Sequence, residues 1–217
     1  MGQTSRAGGF HGEALAIARA TGDRAKEGYI RHNLSDISTD EGHGNLAVEH
    51  ASAAVTISVE LSEPRLGSYS GGSLARAHLL AGEFIDAQAA AKAALLCDWP
   101  ENNFYVCALG GVIALRQRDR LAAEQMLAAA VTEASRILDV NSDNYQALDS
   151  KALALSGLAL CGETGRAADA IESYRAARRI SRDAGTVKRV LQLFDALAVL
   201  DTGGTLAGVR AAAAGEA

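Results

Sequence analysis

The residues able to do chemistry are sparse and poorly grouped. His43 and His50 lie seven residues apart and flank Glu49. On a helix that spacing sets the imidazoles two turns apart. A zinc site wants i, i+4 spacing or a further cluster of ligands, so these residues read as a solvated helix start and no metal is expected. Gly67-Ser-Tyr-Ser-Gly71 has the spacing of a nucleophile elbow, but its centre is Tyr69 and no strand pattern precedes it. The segment Gly162 to Arg166 (GETGR) lacks the lysine that a phosphate-binding loop places on its nucleotide, and no GxGxxG follows a strand. Cys97, Cys107 and Cys161 are odd in number, with no CxxC, and read as small buried hydrophobes in a reducing compartment. Nothing selects a pair of carboxylates for acid–base work. No catalytic residue and no cofactor is expected, and the chain reads as non-enzymatic.

The composition says what elements must position these residues. Of 217 residues 45 are alanine, only two are proline, and aromatics make up 5 %. A β-sandwich or barrel needs β-branched residues, aromatics and turn breakers that are missing here. Apolar residues at 48 % against a net charge of −5 exclude disorder. Alanine with leucine points to closely packed helices. With 21 Lys+Arg against 26 Asp+Glu there is no basic excess, so a nucleic-acid partner is not expected. No apolar run approaches the length of a membrane span, so no membrane association is expected either. The opening MGQTSRAGGFHGEA has no signal-peptide core, and Arg6 breaks the myristoylation pattern. A cytoplasmic protein is expected.

An internal repeat organises the rest. From Ala75 the intervals to Gly82, Ala87 and Ala94 are 7, 12 and 19 residues. From Ser35 the same intervals lead to Gly42, Ala47 and Ala54, and from Gly111 to Arg118, Ala123 and Ala130. A fourth copy reads Gly157, Gly165, Ala170 and Ala177, its turn one residue longer. Small residues mark where two helices touch, and the glycine marks the turn between them.

This pattern resembles tetratricopeptide repeats: a small residue on the first helix, a turn glycine, then two alanines seven apart on the second. LARAHLLAGEFIDAQAAAKAAL (74–95) and LALCGETGRAADAIESYRAARRI (158–180) carry the resemblance best. Residues 13–36 (EALAIARATGDRAKEGYIRHNLSD) resemble the longer repeats in the C-terminal sensor arrays of bacterial STAND-type regulators (signal-transduction ATPases with numerous domains), and those of kinesin light chains. Departures are Ser35 where glycine is usual, Arg118 in place of the third turn glycine, and the absence of the family tryptophan. The expected fold is all-α: a right-handed α-solenoid of antiparallel helix pairs with about 11 helices. Residues 1–11 read as a tail, 12–182 as the array, and 183–217 as capping helices. Helices are expected near 12–20, 24–39, 44–62, 68–81, 84–97, 102–117, 120–139, 144–162, 166–182, 186–200 and 204–214. Asp23, Asn141 or Asp143, and Asp183 read as caps, and Pro64 and Pro100 as breakers between helices.

The resemblance also implies a site. The first helices of the pairs would line a concave groove for an extended peptide or a partner helix. Carried over copy by copy, the groove positions include Tyr29, His32, Asn33 and Asp36, then Tyr69 and Arg76, then Tyr105, then Lys151. Asn33 stands where the family often has an asparagine that hydrogen-bonds the ligand backbone, and Arg76 is the cation placed to meet a carboxylate. Tyrosine at one register, in Tyr29, Tyr69 and Tyr105, suits either a binding wall or packing between repeats. The groove becomes apolar toward the fourth copy, which points to contact with a helix or with the chain's own C-terminal part. A second helix without its first at 12–20 leaves a face to be covered, by a longer array, by a homodimer or by residues 1–11. The first is favoured. The implied function is a non-enzymatic protein or peptide interaction module, the sensor or scaffold part of a bacterial regulator with an upstream ATPase domain. The alternative is a freestanding adaptor or peptide receptor acting as a homodimer.

Overall fold

A computed structural model describes residues 2–216, with side chains from residue 9 onward. The described residues form eleven α-helices and no strand. They divide into two compact units at Trp99 and Pro100. The first unit holds α1 (Gly2–Ala20), α2 (Arg24–Glu41), α3 (Gly44–Leu61), α4 (Pro64–Ala81) and α5 (Phe84–Leu96). The second holds α6 (Pro100–Arg116), α7 (Arg120–Val140), α8 (Tyr145–Leu160), α9 (Arg166–Ile180), α10 (Ala184–Ala198) and α11 (Ala207–Ala214). Within each unit, helices from α1 to α5 and from α6 to α9 pack on their neighbours in chain order. In addition, α2 packs on α4 and α6 on α8. This is solenoid packing: α2 and α4, like α6 and α8, form an inner layer, and the intervening helices form an outer one.

The repeat intervals correspond to physical positions. All eight template alanines, from Ala47 and Ala54 to Ala170 and Ala177, are buried. They let helices approach closely. A methyl added at Gly71 would lie 2.8 Å from the Ala94 Cβ and 3.2 Å from its backbone Cα, closer than packed atoms come. The turn position of the first three copies is left-handed in each: Gly42 has φ 84°, Gly82 φ 81° and Arg118 φ 63°. There the cap N–H turns back onto carbonyls of the last helical turn, as the Gly82 N–H does onto His78 and Leu79. Arg118 adopts a conformation that is costly for any residue with a Cβ.

Several boundaries differ from the sequence expectation, each for a local reason. Helix α1 runs from Gly2 rather than residue 12, passing through Gly8 and Gly9 with no proline to stop it; Met1 and Ala217, the outer ends of the expected tail and cap, lie outside the described residues. Pro64 and Pro100 are the first residues of α4 and α6, where a missing N–H costs nothing. In the fourth turn the left-handed glycine is Gly162 (φ 103°), while Gly165 (φ −59°) leads into α9. Asn144 caps α8 by accepting from the Ala147 N–H, in place of Asn141 or Asp143. Asp23 and Asp183 cap α2 and α10 as expected.

Polar side chains tie the outer helices to this frame. Glu27 on α2 is buried and accepts from Arg31 at 3.0 Å, from Arg19 of α1 at 3.1 Å and from Arg24 at 2.7 Å. Arg24 also meets Glu60 of α3. Burial pushes the Glu27 carboxyl up, but the three guanidinium hydrogen bonds together outweigh it and hold the group at about 2.

Two outcomes follow. Arg118→Gly relieves the left-handed strain, so it raises stability by about 1 kcal/mol and the thermal midpoint by about 3 °C, read by circular dichroism. Glu27 has a depressed folded value, so its stabilisation is present above pH 4.5, its ordinary value, and is lost as pH falls toward 2. Urea unfolding at stepped pH should show stability falling across that window in the wild type, and a shallower fall in Glu27→Gln.

Candidate binding face

The inner layer of the first unit carries the densest set of polar side chains. Helices α2 and α4 run side by side in the same direction, because their contacts climb together along both helices, from Tyr29 and Arg65 to Asp40 and Arg76. The Arg65 guanidinium lies over the Tyr29 ring and over the Tyr69 ring, 5.9 Å from each centroid. One turn on, the His32 and Tyr69 rings meet at 5.8 Å, tilted by 46°. The Ser73 hydroxyl then donates to Asp36 Oδ1 at 2.8 Å and lies 3.1 Å from His32 Nδ1. Last, Arg76 donates to Asp40 Oδ1 at 2.9 Å, to the Asp36 carbonyl at 3.1 Å and to Asp36 Oδ1 at 3.4 Å.

Five of the eight groove residues expected from sequence are therefore brought to one face: Tyr29, His32, Asp36, Tyr69 and Arg76; Asn33 follows Tyr29 by one turn of α2. Their exposure sorts them. Asn33 is exposed, and Tyr29, His32, Asp36 and Tyr69 are half-buried. Arg76 is 1 % exposed. Its guanidinium is spent on Asp36 and Asp40 of the neighbouring helix and is not presented to a guest. A fully desolvated guanidinium needs such partners, and the two carboxylates supply them. Burial, with Glu63 nearby, raises the Tyr29 phenol above its ordinary value, so that ring is neutral at physiological pH.

Ser73, His32 and Asp36 are the residue types of a hydrolytic triad, but their order is different. In a triad the imidazole stands between serine and carboxylate and takes the serine proton. Here the hydroxyl stands between the other two and donates its hydrogen bond to the carboxylate, and Ser73 is itself buried. What this arrangement does is cross-link α2 to α4.

Tyr105 and Lys151 belong to the second unit. Tyr105 packs against a core cluster of Phe104, Ala134 and Ala147, and Lys151 is half-buried on α8. The inner layer of this unit is covered by the chain itself. Helix α10 packs on both α6 and α8, burying Leu193, Phe194 and Leu197, and Arg116 of α6 donates to the Ala196 carbonyl at 2.9 Å. Tyr174 of α9 meets Phe194 edge-on, with centroids 6.3 Å apart. Beneath lies an ion pair between Arg178 and Asp149, both buried.

Residues that sequence reasoning passed over complete the picture. The expected helix 68–81 leaves Arg65 in a loop; with Pro64 as the first residue of α4, Arg65 stands one turn before Tyr69 on the same face. Asp40 fell beyond the expected end of α2. His78, Glu83 and Asp86 form the one group of three metal-ligating residue types gathered within 4.8 Å among the described residues. His78 Nδ1 already meets Glu83 Oε2 at 2.6 Å, which joins the end of α4 to the start of α5. His43 lies 3.5 Å from Glu41 and outside any such group. Burial raises the Cys107 thiol to about 11, with Glu133 adding to it, which suits a packed and unreactive side chain. Among the described residues no helix is long and apolar enough to cross a membrane. No protein-family model matches the chain, and no curated protein matches it.

The two assignments for Arg76 and Asn33 separate in one experiment. Arg76→Ala removes a buried guanidinium that two carboxylates share and lowers stability by about 3 kcal/mol. Asn33→Ala, on the exposed side, changes it by less than about 0.5 kcal/mol. Urea denaturation of both variants measures the contrast.

Proposed function

We propose that this chain is a non-catalytic protein-interaction module of tetratricopeptide type, whose α2–α4 face takes a peptide or protein guest. The observation that supports this best is a wall of half-buried Tyr29, His32 and Tyr69 with exposed Asn33, on two helices that Ser73 and Arg76 cross-link before any guest arrives. A surface ordered in advance loses little entropy on binding. Rigid aromatic bodies with polar tips supply contact area and directed hydrogen bonds together. The buried Ser73 bridge, whose proton is committed to Asp36, favours this reading over an enzyme. The likeness of residues 13–36 to sensor-array repeats supports a role as the sensor or scaffold part of a bacterial signalling regulator, working in the cytoplasm and coupled to an upstream ATPase domain.

The test is selection of binders from a random dodecapeptide library displayed on phage, with the full chain as bait. Selected peptides, made synthetically, should lose about tenfold or more in affinity to the double variant Asn33→Ala, Tyr69→Ala, a loss equivalent to one good contact. Circular dichroism confirms that the variant is folded. Failure to select any peptide, or affinities unmoved by the double variant, would overturn the proposal.

A further inference from the structure

We infer that Arg65, held between Tyr29 and Tyr69, is the anchor by which the α2–α4 face grips a side-chain carboxylate of an acidic peptide. This rests on the reading of that face as a peptide site and names the chemistry of its guest.

The first unit spends most of its guanidiniums on its own carboxylates. Arg19, Arg24 and Arg31 share Glu27, Arg24 also takes Glu60, and Arg76 takes Asp36 and Asp40. Arg65 differs. It is exposed, lies over the two aromatic rings and, among the described residues, forms no ion pair. The equal spacing of 5.9 Å to both centroids means that neither ring holds it alone. Each contact restricts the side chain while leaving the five N–H donors for other acceptors. A long side chain ordinarily loses much rotamer freedom when it binds; one already steadied by two rings loses less.

The planar guanidinium fork matches the two oxygens of a carboxylate. A cationic guest would have to displace Arg65 from both rings or lie beside a like charge. An apolar guest would leave the fork unused. The first turn of α4 adds to the same preference, because Arg65 is its second residue and the positive end of the helix dipole lies there. Glu63, which acts on the same Tyr29 phenol, forms no capping hydrogen bond to α4 and no ion pair with Arg65, so the N–H donors of the fork stay free for a guest's oxygens.

The experiment crosses changes in the peptide with changes in the protein. In each phage-selected dodecapeptide, every Asp or Glu is replaced singly by Asn or Gln, and affinities are measured by calorimetry for the wild type, Arg65→Gln and Arg65→Lys. Arg65 is exposed, so these variants fold, as circular dichroism will report. One acidic position is expected to lose about tenfold against the wild type when amidated. Arg65→Gln is expected to lose as much with the unmodified peptide, and the two changes together little more than either alone, the signature of a direct pair. Arg65→Lys should recover only part, since an ammonium has no planar fork to lie across the rings or to bind both oxygens. If peptides bind through Asn33 and Tyr69 but lack a required acid, or if the two losses simply multiply, the anchor role is overturned while the peptide face stands. If no peptide is selected at all, both fall.

Discussion

Close approach between helices is the constraint on which the rest of this structure depends. Where two helices touch, the positions carry hydrogen, methyl or hydroxyl groups because anything larger has no room: a methyl at Gly71 would strike Ala94, and one at Gly111 or Gly157 would strike Leu127. Such contacts bury little apolar area per residue, about one methyl each. They also present few protrusions that could lock one helix against the next. Directional polar contacts therefore set the register that an alanine interface leaves loose. Glu27 gathers arginines from α1 and α2, Arg76 joins α4 to α2, and Asp149 meets Arg178 between α8 and α9.

The binding face is a consequence of that register. Because α2 and α4 are cross-linked at successive turns, their remaining side chains are held in a fixed order along one wall. The aromatic and guanidinium groups lie toward the helix starts, and the carboxylates with their own arginine toward the ends. In the second unit the corresponding inner helices are covered by α10, whose apolar face closes over α6 and α8. The same local architecture thus yields an uncovered polar wall in one unit and an internally occupied apolar one in the other.

Much of the fold was legible because its cause is local. An interval of seven residues from a small side chain to a left-handed turn holds at Gly42, Gly82 and even Arg118, where the chain takes the conformation without glycine. The fourth turn was read less well because two glycines lie three apart and only backbone geometry shows which one is left-handed. The apolar fourth copy left open a partner helix or the chain's own C-terminal part, and α10 is what packs on α6 and α8. The groove residues were harder. A position within one repeat tells which layer a residue joins, not what stands across from it. Arg76 looked available because its partners, Asp36 and Asp40, lie on another helix 36 to 40 residues earlier. Reading each candidate against the residues one repeat back would have paired them. Arg65 was hidden by a proline taken as a stop when it was a start.

The central claim is that the α2–α4 wall is where a partner binds. Amide chemical-shift mapping of the isotope-labelled chain with a phage-selected peptide tests it most directly. Shifts should concentrate in residues 29–36 and 65–76, with the outer helices α3 and α5 little changed. Shifts centred on α3 and α5, or confined to the second unit, would contradict it.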